Sequence, residues 1–195
     1  MAHFSKRTAL VACAALVLVG VGAAAGMYLA AADGHGMMGH HGGGMQHDEE
    51  NMPGLQGANA TPEESAELAV MFRNFKTITR RVENLPDGIR TVTRSSDPAV
   101  MDALVSHVVG MIDRVKSLDD PQIRIQSPTL DIFFARGEGI TSDINVTDDG
   151  IVVVQTSADP EVVAAMQAHA AEVSAMADRG MAAVHDMMAA QGRMH

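Results

Sequence analysis

Apolar residues in the second half of the chain switch between two periods, and the switch happens twice. Leu68, Met71, Phe72 and Phe75 fall at helical spacing. They follow Thr61–Pro62–Glu63–Glu64, where threonine caps, proline presets the first helical φ and Glu64 completes a capping box. Residues 77–82 then read as a strand with Ile78 and Val82 on one face, and residues 89–93 alternate as a half-buried strand. Leu85–Pro86–Asp87–Gly88 supplies the turn between them. Asp97–Pro98 caps a second helix with the stripe Val100, Leu104, His107 and Met111, which runs to about Lys116 before Asp119–Asp120–Pro121 stops it.

The same plan then recurs. Ser127–Pro128 starts a helix holding Leu130, Ile132, Phe133 and Phe134. Residues 140–146 and 151–156 form a hairpin across Asp148–Asp149–Gly150. Asp159–Pro160 caps a long helix that reaches Gln191, with Gly180 as a kink. A shift of 62 residues superposes Asp97–Pro98–Ala99–Val100 on Asp159–Pro160–Glu161–Val162 and His107 on His169, along with Asp87–Gly88–Ile89 on Asp149–Gly150–Ile151. Matches confined to turns, caps and core positions indicate a duplicated helix–hairpin–helix unit.

A lone two-stranded hairpin cannot bury its apolar face. The expected fold is therefore α+β: two units joined by a pseudo-two-fold axis into one four-stranded antiparallel sheet with helices packed on it. It spans residues 61–192, with repeat 1 at about 61–120 and repeat 2 at about 127–192.

Upstream, Lys6–Arg7 precede 25 residues, 8–32, without a charge. That length spans a bilayer, and the positive flank sets the N-terminus inside. The expectation is one transmembrane helix in a bacterial inner membrane, N-in, with the rest of the chain in the periplasm. The alternative is cleavage after Ala30–Ala31–Ala32. Residues 33–60 are glycine-rich, aperiodic and read as a flexible tether.

Charge and composition narrow the function. A net charge of −10 argues against nucleic acid, which requires a basic face, and the low aromatic content, with no Trp and one Tyr, weakens any reading that needs stacking platforms. The sole cysteine, Cys13, lies in the N-terminal apolar run, so the remainder has no disulfide, no thiolate nucleophile and no covalent haem motif. No catalytic constellation is present, and a non-enzymatic role is expected; the Asp-Gly and Asp-Pro pairs are turn and cap chemistry.

What stands out is 15 Met with 9 His. His35, Met37, Met38, His40, His41, Met45 and His47 cluster in the tether. Imidazole suits Cu(II), and thioether sulfur suits Cu(I). Met181, His185 and Met188 lie along one face near the C-terminus. His107 and His169 point to the apolar sides of equivalent helices, with Met166 and Met176 on the stripe of the second. A buried imidazole needs a partner, so the pair are candidate ligands for a shared copper ion or, alternatively, axial ligands of haem b. The Met/His segments resemble, in composition, those of bacterial periplasmic copper-handling proteins. That resemblance implies copper binding, buffering or transfer to another periplasmic metal-handling protein. The competing expectation is an interaction or sensor module with structural histidines.

Overall fold

The computed structural model describes residues 52–192. The charge-free run at 8–32 and the tether residues His35, Met37, Met38, His40, His41, Met45 and His47 lie outside the described residues. No helix among the described residues is long and apolar enough to cross a membrane.

Among the described residues the fold is α+β, with a four-stranded antiparallel sheet and five α-helices. In chain order these are α1 (Pro62–Arg73), β1 (Ile78–Leu85), β2 (Gly88–Ser95), α2 (Pro98–Lys116), α3 (Asp131–Arg136), β3 (Ile140–Thr147), β4 (Gly150–Ser157), α4 (Pro160–Arg179) and α5 (Met181–Ala190). Each start follows from local chemistry. Thr61 and Glu64 form the reciprocal capping box on α1, with Glu64 N–H donating to Thr61 Oγ1 at 3.2 Å and Thr61 N–H to Glu64 Oε2 at 2.8 Å. Asp97 and Asp159 accept backbone N–H groups at the starts of α2 and α4, each followed by proline. The expected continuous C-terminal helix is broken into α4 and α5 at Gly180, whose φ of 57° and ψ of −137° suit glycine. A Cβ there would lie 2.8 Å from the Phe75 ring, so only glycine lets the chain turn so close to it.

The strand order is β1-β2-β4-β3. Strands β3 and β4 and the start of α4 each lie 62 residues after β1, β2 and the start of α2. The central β2–β4 pairing is reciprocal under that shift, since Thr91 pairs with Val153, its own counterpart, and Ile89↔Gln155 mirrors Thr93↔Ile151. Gly88 and Gly150 obey the same exchange. A Cβ on Gly88 would meet Gln155 O at 1.9 Å, and one on Gly150 would meet Thr93 O at 2.3 Å. Close approach of the two inner strands therefore needs glycine at both points.

Alternation along the strands turns Ile89, Thr91, Thr93, Ile151 and Val153 toward the helices. Helix α4 packs across β1 and β2, and α2 packs on β2 and β3. One core cluster gathers Val115, Phe133, Phe134, Ile140, Val162 and Met166, and a second gathers Leu104, Ile112, Ile151 and Val153. The folded part also begins earlier than the α1 cap. Leu55 is 1% exposed, Gly57 bridges to Ile123, and Asn59 donates to Asp119 and to the Asp120 carbonyl, so the last residues of the expected 33–60 tether are packed on the domain.

Candidate functional site

Between the sheet and its helices lies a cavity of about 320 Å³. Its walls are mostly apolar: the inner faces of α2 and α4 form the roof, β1, β2 and β4 form the floor, and Leu68, Phe72 and Phe75 also line it. His107 from α2 and His169 from α4 both line it, as do Met111 and Met176. The helices that carry the two histidines thus bring both to the wall of one chamber.

The two imidazoles have different surroundings. His169 Nδ1 lies 3.4 Å from Glu172 Oε2, one turn along α4. Glu172 is in turn held by Ser127 Oγ and Thr129 Oγ1, each donating at 2.8 Å. Burial works to raise the Glu172 pKa, but the contacts from His169, Thr129 and Ser127 outweigh it and hold the carboxylate below its ordinary value. Such a carboxylate favours the His169 tautomer with its proton on Nδ1, leaving Nε2 as the acceptor. The Phe133 ring meets His169 edge-on, with centroids 5.7 Å apart.

His107 has no such carboxylate. Its Nδ1 is buried without a hydrogen-bond partner. The position matching Glu172 in the first half is Gly110, and a Cβ on Gly110 would meet nothing within 4 Å. Burial pushes the His107 pKa down to about 4, with the charge of Glu64 opposing and that of His169 adding to the fall. His107 is half-buried as a whole residue, but its Nδ1 is enclosed away from solvent. At neutral pH it is an uncharged imidazole with a lone pair to offer.

The cavity floor carries a second unmatched group. Arg80, on the inner face of β1, donates from Nη1 to Thr93 Oγ1 at 2.7 Å, while its Nε is buried without a partner. Burial lowers its pKa to about 10, so it remains a cation at neutral pH.

The other sequence candidates lie elsewhere. Met166 is 0% exposed and packs in the core against neighbours that include Phe134 and Ile140, so it fills space and does not line the cavity. Met181, His185 and Met188 sit half-buried on α5, outside the cavity wall. Arg179 and Asp186 form an ion pair across the α4–α5 break. The sequence places Met111 on the His107 stripe but not among the candidate ligands, and does not single out Arg80. Met111 does follow His107 by four residues on the same stripe, and Arg80 shares the strand parity of Ile78, so both signals were present. Among the described residues, no three His, Cys, Asp or Glu side chains gather where they could hold a metal ion. Comparison of the chain with protein-family models, curated proteins and solved structures gives no match.

Proposed function

We propose that this is a non-enzymatic, membrane-tethered periplasmic metal-binding protein, selective for copper, built from two copies of one helix–hairpin–helix unit. The observation that carries the reading is that His107 and His169, 62 residues apart at matching helix positions, line the same apolar cavity together with Met111 and Met176. Among the described residues no three His, Cys, Asp or Glu side chains form a metal-holding group, and Glu172 beside His169 is engaged by Ser127 and Thr129, so thioethers are the soft donors that the wall adds to the two imidazoles. Two imidazoles supplemented by thioether sulfur suit Cu(I), a soft monovalent ion whose single charge costs less to hold in an apolar chamber than the double charge of Cu(II) or Zn(II). His107 kept neutral by burial needs no deprotonation before it binds. In this reading the Met/His tether collects the ion and the domain stores it or passes it to a partner.

A second reading, haem b with His107 and His169 as axial ligands, is favoured by the cavity itself. About 320 Å³ lies in the size range of organic-ligand sites, and an ion alone would leave most of it empty.

The test is to load the full-length chain with Cu(I) or haem and measure bound copper and the visible spectrum. Copper reading: His107→Ala and His169→Ala each abolish the domain site, whereas deletion of residues 34–52 lowers stoichiometry and leaves that site intact. A haem spectrum lost in either histidine variant would replace copper with the second reading. Unchanged copper content in both histidine variants would refute the domain site.

A further inference from the structure

Arg80 points to a ligand class that the metal reading leaves out. Guanidinium groups withdrawn from water in protein interiors are usually paired with carboxylates, because an unpaired charge there loses its hydration without compensation. Arg80 has Thr93 Oγ1 at 2.7 Å and a buried, unpartnered Nε, and among the described residues no Asp or Glu pairs with it. The matching half of the sheet provides an internal control. There the equivalent cross-strand pair is Ser142 and Gln155, with Gln155 Nε2 donating to Ser142 Oγ at 3.1 Å. The fold therefore accommodates a neutral pair at this position, and the cation in the first half is an addition that packing alone does not require.

The surroundings of Arg80 define what would match it. Thr91 and Thr93, 3% and 4% exposed, stand beside it on β2 and offer hydroxyls. Beyond them the wall is mostly apolar, from Ile89 and Leu104 to the Phe133 ring, with His107 and His169 on the helix side. A half-buried cation at the floor of a mostly apolar chamber is complementary to one negative charge on an apolar body. We propose that the cavity binds an amphipathic carboxylic acid, its carboxylate held by Arg80 and Thr93 and its apolar part lying under α2 and α4. The carboxylate could come from a free long-chain acid or from the side arm of a porphyrin. The proposal does not depend on metal binding, because Arg80 lies on the floor strand and the two histidines on the roof helices.

The experiment uses the full-length chain in lipid nanodiscs, with protein-free nanodiscs as the blank. Calorimetric titrations compare decanoic acid with decanol, and protoporphyrin IX with its dimethyl ester. The expected result is at least a tenfold preference for acid over its neutral analogue in one of the two pairs, and the pair that shows it identifies the source. Arg80→Gln should abolish the preference. If that variant fails to fold, the double variant Arg80→Ser with Thr93→Gln copies the neutral Ser142–Gln155 pair and should fold without it. Arg80→Gln should leave the copper content of the chain unchanged, which separates this site from the metal site. Equal affinity for acid and neutral analogue in both pairs, no binding of either acid, or an acid preference that survives Arg80 replacement would each overturn the proposal.

Discussion

Acid should destabilise this fold through His107 before its carboxylates titrate. The group moves from an ordinary pKa of 6.5 in the unfolded chain to about 4 in the folded one. The unfolded state then binds a proton, and the native state does not, over the window between those values. Stability is therefore complete above pH 6.5 and falls as the pH drops toward 4. Linkage across those two pKa values gives a loss of about 2 kcal/mol between pH 7.5 and pH 5, growing to about 3 kcal/mol at pH 4. Glu64, Glu172 and Asp159 have pKa values held below their ordinary 4.5, 4.5 and 3.8, so their contributions fade only at lower pH. The assay is urea unfolding of residues 52–192 at half-unit pH steps from 7.5 to 5, followed by far-ultraviolet circular dichroism. His107→Phe keeps a ring in the cavity wall but cannot titrate, and its curve should be flatter than the wild type by about 2 kcal/mol over that range. Parallel curves for the two proteins would refute the assignment of a buried, neutral His107.

Three further outcomes are expected. Gly110→Ala should stabilise α2 by about 1 kcal/mol through helix propensity alone, and Gly110→Glu should in addition raise the His107 pKa by supplying the carboxylate that Glu172 offers His169; NMR titration showing the same His107 pKa in both variants would contradict that pairing. Met166→Ala should cost about 3 kcal/mol in denaturant unfolding by opening a core void, with copper stoichiometry unchanged; a loss of copper would return Met166 to the ligand set. Gly180→Ala should cost about 2 kcal/mol and loosen α5, seen as faster amide exchange over residues 181–190, because it adds a Cβ at positive φ against Phe75; unaltered exchange would show that the break tolerates a side chain.

Much of the architecture is written locally. Caps at Thr61, Asp97 and Asp159, turns ending in Gly88 and Gly150, and alternation between them all act within a few residues, where backbone sterics and short-range hydrogen bonds decide conformation. The shift of 62 that aligns His107 with His169 also exposes their asymmetry, since Gly110 stands where Glu172 does. Periodicity likewise gave the inner face of each helix. It could not give depth along the axis. Met166 and Met176 share one face of α4, yet the N-terminal half of that helix packs against Phe134 and Ile140 while its C-terminal half roofs the cavity. What covers each turn depends on residues distant in sequence, so only the assembled fold separates Met166 as core from Met111 and Met176 as cavity wall. The same holds for Arg80. Strand parity turns it inward, but its lack of a carboxylate is a property of every element packed around it, and that was decided only when α1, α2 and α4 closed over the sheet.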